Sequence, residues 1–435
     1  MSAPGALDVR RAIEEGAMSR FQVLAVGLCV ALNMIDGFDV LVMAFTASEV
    51  AREWNLSGAR LGVLLSAGLI GMAAGSLFVA PWADRAGRRT VILVCLGVIT
   101  AGMFLSALAQ GEAQLAALRV ATGVGIGGIL ASLNVITSEY SSRRWRSTAI
   151  SLQVTGYPIG ATIGGAIAAV LITSYGWRSA FLFGAAASAV MIPVVVRSLP
   201  ESLDFLLARR PADALPRLND LLRRMGRPEA AALPEPSLEP HAGHHAVRRL
   251  FAGGAARGTA LIWASFFLVM FSFYFVTSWT PKLLVAAGLS TRQGITGGVL
   301  LNLGGIAGGL LFGSLVERVS LRRLTCLNLA ATGAFLLLFA WFATDLASAL
   351  AIGLGLGVFL FGSMVGLYAA TPLLYPAAIR ATGMGWAIGI GRLGAIVAPV
   401  TAGLLVDRGW DNSALYVAFA LPLALAVLTV RALRV

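Results

Sequence analysis

Long apolar runs alternate with short polar breaks along almost the whole chain. A window of about 19 residues, the length that crosses a bilayer as a helix, picks out spans near 21–45, 61–82, 91–109, 114–136, 148–173 and 178–198. After a polar, Pro- and Arg-rich stretch from 199 to 257, six more follow near 258–281, 295–316, 323–343, 347–370, 382–405 and 413–432. The pattern predicts an all-α membrane protein of about twelve transmembrane helices. Its parts are a tail over 1–20, a six-helix bundle over 21–198, an interdomain linker over 199–257 and a second six-helix bundle over 258–435.

Arginines sharpen the topology. They cluster at alternate breaks: Arg85, Arg88 and Arg89; Arg143, Arg144 and Arg146; the central stretch; Arg318, Arg322 and Arg323; and Arg380. The positive-inside rule then places both termini and the linker in the cytoplasm. The amino-terminal 20 residues carry Arg10, Arg11 and Arg20 without a short apolar core and cleavage pattern, so they read as a cytoplasmic tail. A bacterial-type inner membrane, with a monomer as the working unit, is the expected setting.

Composition agrees with this picture and removes rivals. The chain is 58% hydrophobic and 12% charged, against about a quarter charged in soluble domains. Its net charge of +12 is spread over the breaks between spans and forms no single basic face, so nucleic acid is not an expected partner. Cys29, Cys95 and Cys326 fall inside apolar runs and read as packing residues. His241, His244 and His245 stand in the polar linker without Cys or acidic neighbours, a poor metal site. No cofactor is expected, and no enzymatic activity. The Gly-rich runs at 123–128, 156–165 and 383–394 lie inside spans and precede no Gly-Lys-Ser/Thr cradle, so they suit close helix packing and are not nucleotide loops.

An acid followed by basic residues returns at the same place in each half, as Asp84-Arg85-Ala86-Gly87-Arg88-Arg89 and as Glu317-Arg318-Val319-Ser320-Leu321-Arg322-Arg323. Repeated halves with a binding site between them are a recurring transporter plan. Ala80-Pro-Trp-Ala-Asp84-Arg85-Ala-Gly87-Arg88-Arg89 resembles the loop motif of the major facilitator superfamily, with Ala80 and Trp82 departing from it. Leu115-x-x-x-Arg119-x-x-x-Gly123-x-Gly125-x-Gly127-Gly128 is similar to a second motif of that superfamily. The narrower resemblance is to the aromatic acid:proton symporter family. It rests on Asp36-Gly37-Phe38-Asp39, Leu199-Pro-Glu-Ser202, Ser278-Trp-Thr-Pro281 and Tyr375-Pro-x-x-x-Arg380-Ala-Thr-Gly383-x-Gly385-Trp386, leading to Gly391-Arg392-Leu393-Gly394. It implies import of a small aromatic carboxylate, such as benzoate or a hydroxybenzoate, together with protons.

An ionised side chain at the bilayer centre costs roughly 2.5–3.5 kcal/mol on insertion scales, so intramembrane charges are functional candidates. Here they are Asp36, Asp39, Arg119 and Arg392. The aspartates stand three residues apart, on one helix face. Asp39 is the expected proton carrier, with Asp36 tuning it or holding helix packing; the structural alternative is a fixed Asp–Arg pair that locks the first and fourth spans.

A planar guanidinium matches a carboxylate with two hydrogen bonds, which makes Arg392 the first candidate for the cargo's head and Arg119 the second. Phe38, Tyr157, Tyr274, Trp279 and Trp386 are candidate ring contacts, although any one aromatic serves equally well in packing or against lipid. Asn302, with Asn33 and Gln153, suits a ring hydroxyl or a bridge between helices. Asp84, Arg85, Arg88, Arg89 and Glu139 are expected to form ion pairs that hold one conformation. Glu317, Arg318 and Arg380 form the corresponding cluster in the second half.

A drug:proton antiporter would carry a Gly-Pro-x-x-Gly-Gly element in the fifth span, where Gly160-Ala161-Thr162-Ile163-Gly164-Gly165 stands instead. A sugar porter shares Pro-Glu-Ser but suits the intramembrane charges less well. A non-aromatic organic anion remains the principal alternative cargo, and a transporter-like receptor or scaffold the alternative of a different class.

Overall fold

A computed structural model describes residues 13–15, 17–233, 250–251, 255–343 and 345–433. The three linker histidines and the first twelve residues lie outside them. Among the described residues twelve helices are long and apolar enough to cross a membrane. In the first half these are α1 (Arg20–Glu53), α2 (Gly58–Ala74, continued by tighter and wider turns to Ala86), α3 (Arg88–Ala107), α4 (Glu112–Glu139), α5 (Arg146–Tyr175) and α6 (Arg178–Ser198). The stretch read as a linker contains two shorter helices, α7 (Leu203–Arg209) and α8 (Ala214–Arg224). The second half holds α9 (Ala255–Ala286), α10 (Thr291–Leu315), α11 (Leu321–Phe342), α12 (Leu346–Ala370), α13 (Ala377–Asp407) and α14 (Asn412–Arg431).

Most helices outrun the apolar windows at one or both ends, because polar caps extend them. Ser19 and Ser290 each form a reciprocal capping box with a glutamine three residues on, which satisfies two otherwise unpaired backbone groups. Asp345 caps α12 by accepting from the Ser348 N–H, and that bond holds its carboxyl below the usual range.

Without a hydrophobic force between helices in lipid, close packing depends on small residues. Gly71 of α2 and Gly123 of α4 stand where a methyl group would run into the facing backbone at Val120 and Gly68. The second half repeats this between α10 and α12, where Gly304 abuts the Leu354 carbonyl and Gly357 that of Leu301. The halves therefore share an internal packing rule as well as a helix count.

The bundles meet through α2 against α13 and α5 against α10, with α1 beside α9. Hydrogen bonds between them gather on the face opposite the linker. There Asp407, at the end of α13, accepts from the backbone N–H groups of Gly58 (2.6 Å) and Ala59 (2.8 Å) at the start of α2. Ser66 donates to the Ile396 carbonyl at 2.7 Å, and Thr291 donates to Glu49 at 2.7 Å.

On the linker face α7 and α8 bury Leu203, Leu206, Leu218 and Leu222. Arg224 of α8 lies over the Phe21 ring of α1 and Arg209 of α7 donates to the Asp84 carbonyl, so the linker helices are docked on the first bundle.

Candidate functional site

The four intramembrane charges separate into two environments. Asp39 on α1 is 1% exposed, and neither carboxylate oxygen has a hydrogen-bond partner. With Arg119 of α4 it lines a small cavity between α1, α2 and α4. Arg119 does not pair with that carboxylate. It donates to the Asp39 backbone carbonyl (3.4 Å), to the Thr122 hydroxyl (2.7 Å) and to the Met103 sulfur (3.0 Å), and it lies over the Phe181 ring at 5.1 Å. The fixed Asp–Arg ion pair considered from the sequence is therefore absent. The guanidinium is held by α4's own turn and by α3 and α6, which leaves the aspartate electrostatically near but unbonded.

Arg392, near the middle of α13, is partly buried and makes no hydrogen bond or ion pair with a described residue. Three tyrosines on three helices are its electrostatic neighbours. Tyr274 (α9) and Tyr368 (α12) are within electrostatic reach of the guanidinium, and Tyr368 also of Tyr274. Tyr157 (α5) is within electrostatic reach of Tyr274, Asp36 and Arg392. These neighbours form a row that links Arg392 on the second bundle, by way of Tyr274 and Tyr157, to Asp36 on the first.

Local packing fixes both ends of this row. Gly37 lets α1 approach the Tyr157 backbone so closely that a side chain there would strike its carbonyl, which sets Tyr157 beside Asp36. At the other end Gly391 abuts Met270 and Phe266 of α9, and the Phe266 ring meets Tyr368 edge-on at 5.5 Å. Asp36 is 2% exposed, with Oδ2 sealed and unpartnered.

The structure thus brings together Asp36, Tyr157, Tyr274 and Arg392 and adds Tyr368, which sequence reasoning passed over. Tyr368 is a single polar-tipped aromatic in an otherwise apolar span, a signal too common to stand out.

Other candidates lie elsewhere. Phe38 is packed inside the first bundle, edge-on to Phe183 at 5.3 Å and against Gly164. Trp279 is fully buried and donates to the Pro399 carbonyl at 3.1 Å, which ties α9 to α13. Trp386 is 44% exposed and stacks on Trp263. Asn302 is buried, bonding the Gly298 carbonyl of its own helix and leaving Oδ1 unpartnered. Asn33 bridges helices, donating to the Gln153 carbonyl at 2.6 Å.

The linker-face motif forms, with different partners from those expected. Asp84 pairs with Arg88 at 3.2 Å, while Arg85 is exposed. Glu139 bonds no arginine; it accepts from the Ser202 hydroxyl and the Leu203 N–H, each at 2.8 Å, and so caps α7. The acid that reaches the motif is Glu201, accepting from the Arg89 N–H at 3.1 Å, while the Arg89 guanidinium bonds the Val196 carbonyl. Tyr140 donates to the Glu201 carbonyl, and burial together with the nearby Glu139 and Glu201 pushes its phenol pKa up.

In the second half the matching cluster does not assemble. Glu317, Arg318 and Arg380 are exposed, without an ion pair among the described residues. Gly87 turns with φ +95°, a conformation that favours glycine, and so lets α3 begin where the Arg89 N–H reaches Glu201. Ser320, at the matching position, has φ −55° and makes no such turn.

The profile of the Major Facilitator Superfamily matches residues 26–372. A gallate transporter of Pseudomonas putida is 32% identical over 98% of this chain and 95% of its own length. The 4-hydroxybenzoate transporter PcaK of the same organism is also 32% identical, with the same coverage of both chains. The benzoate transport protein of Acinetobacter baylyi is 27% identical over 98% of this chain and 92% of its own. Among solved structures, the partially occluded inward-open xylose transporter XylE from E. coli superposes with a TM-score of 0.73. It covers 94% of this chain and 97% of that one at 16% identity, a likeness of fold alone.

Proposed function

We propose that this chain, which belongs to the Major Facilitator Superfamily as a multi-pass inner-membrane transporter, imports a small aromatic carboxylate such as benzoate or a hydroxybenzoate together with protons. The observation that carries the reading is the unpaired Arg392 among tyrosines at the meeting of the two bundles. An unmatched guanidinium in that setting is costly unless an anion completes it, and a carboxylate does so through two parallel hydrogen bonds. The tyrosines offer ring faces to a flat cargo and hydroxyls to its polar groups. Relatives named for gallate, 4-hydroxybenzoate and benzoate, matched over nearly the full chain, support an aromatic acid over other anions.

Coupling is assigned to Asp39, with Asp36 beside the cargo as its neighbour. An unbonded carboxylate in a low-dielectric site favours the protonated form, and a nearby arginine favours the charged one; small movements of α4 shift that balance. The contacts opposite the linker, with Asp407 holding the start of α2, fit a state closed to the outside, given a cytoplasmic linker. Protonation and cargo binding then favour rocking of the bundles about the α2–α13 and α5–α10 seams.

Uptake of radiolabelled benzoate and 4-hydroxybenzoate into proteoliposomes, with and without an inward proton gradient, tests the reading. Gradient-stimulated accumulation supports it. Uptake of a non-aromatic anion in place of both acids moves the cargo to the alternative class, and substrate-driven proton release in the opposite direction indicates an antiporter.

A further inference from the structure

The row from Arg392 to Asp36 crosses from the second bundle to the first. If the cargo's carboxylate sits on Arg392, its ring extends past Tyr274 toward Tyr157, which lies within electrostatic reach of Arg392 and next to Asp36. The Tyr157 hydroxyl bonds to no described residue, and Tyr157 belongs to the first bundle while Arg392 belongs to the second. Asp36, also unbonded at Oδ2, stands behind it on α1, placed there by the Gly37 contact. An apolar benzene edge leaves that end of the site with an unmatched hydroxyl and carboxylate, whereas a ring hydroxyl both donates and accepts there.

We propose that Tyr157 is a specificity-determining residue. Its hydroxyl reads a hydroxyl on the cargo ring remote from the carboxylate, so the preferred cargo is a ring-hydroxylated aromatic acid. The inference rests on the reading of the chain as an aromatic-acid carrier and narrows it. A hydroxylated acid spans both bundles, with its carboxylate on α13 and its phenol on α5, while an unsubstituted acid engages the second bundle alone. Sites that hydrogen-bond a substrate hydroxyl discriminate strongly against the analogue lacking it, because their own polar groups are left unpaired. Hydrophobic pockets discriminate weakly in the converse case.

The test is Tyr157→Phe, which keeps the ring and the backbone contact with Gly37 and removes only the hydroxyl. Wild type and variant in proteoliposomes are given equal concentrations of 4-hydroxybenzoate and benzoate, and the ratio of their initial uptake rates is read. The ratio is expected to fall roughly five- to tenfold in the variant, the effect of one neutral hydrogen bond. Thermal stabilisation of the detergent-purified proteins by each acid gives the same ratio without turnover, so a variant that binds but moves cargo slowly remains informative. An unchanged ratio in both measurements overturns the assignment. Wild-type protein that takes up neither acid overturns the underlying reading, and this one with it; wild type that carries both with no shift in the variant overturns only this one.

Discussion

Two arginines lie inside this membrane protein, and their surroundings are opposite. Arg119 is enclosed in one bundle, its guanidinium shared among a threonine hydroxyl, a methionine sulfur, a backbone carbonyl and an aromatic face. Arg392 has three tyrosines as electrostatic neighbours, two from its own bundle and one from the other, with no hydrogen bond or ion pair of its own among the described residues. A charge already satisfied by its own bundle sets the field around a neighbour. A charge left unsatisfied at the seam between bundles is placed to receive something from outside. This contrast supports the ranking that the sequence suggested, and on the proposed reading Arg119 conditions Asp39 while Arg392 takes the anion.

Removing Arg392 has the largest expected effect. Arg392→Ala should weaken binding of 4-hydroxybenzoate by roughly a hundredfold, about 3 kcal/mol, measured by calorimetry on purified protein. Arg392→Lys should recover only part of it, because an ammonium lacks the two-pronged fork. Affinity within threefold of wild type in Arg392→Ala would break the comparison at once.

Next comes Asp39→Asn, which should abolish uphill accumulation under a proton gradient while cargo exchange between preloaded and external pools continues. Uphill accumulation by this variant at the wild-type level removes Asp39 from coupling.

Arg119→Met sharpens the comparison from the other side. It should lower thermal stability by about 1–3 kcal/mol as its bonded partners are left unmatched, yet leave cargo affinity within about threefold. A loss of affinity as large as that of the Arg392 variant would give Arg119 the anion-binding role.

Smallest is Asp407→Ala, which removes the cap on α2. About 1 kcal/mol of support for the closed outer face should be lost, seen as roughly fivefold faster deuterium exchange at the Gly58 and Ala59 amides with the fold unchanged.

The spans were legible because a bilayer imposes length and apolarity together, and each predicted span corresponds to a helix in the same order, most within a few residues at each end and α1 running on to Glu53. Asp36, Asp39, Arg119 and Arg392 were legible for the same reason: charge inside such a span is expensive and therefore conspicuous. Their partition was not legible. Whether an arginine is consumed by its own bundle depends on which face of α4 meets Met103 and Phe181, and that is set by packing between distant segments. Aromatics were the weakest guide, since Trp279 and Tyr274 sit five residues apart on one helix and only the latter reaches Arg392.

Loop motifs were legible in place but not in partner. Glu139 looked like an ion-pairing acid and proved to be the cap of a helix in the linker, a helix that the proline- and arginine-rich composition concealed. The clasp at Asp407 had no sequence signal beyond an acid at the end of a span, because its partners are backbone groups 348 and 349 residues away.

The most direct test of the central claim uses purified protein in liposomes carrying a pH-sensitive dye inside, with an aromatic acid added only outside. The account predicts that 4-hydroxybenzoate acidifies the lumen in the wild type, and that Arg392→Ala and Asp39→Asn each abolish the signal. Lumen pH that stays constant while the wild-type protein takes up the labelled acid would contradict proton coupling, and acidification that survives in Arg392→Ala would contradict the assignment of the anion to that arginine.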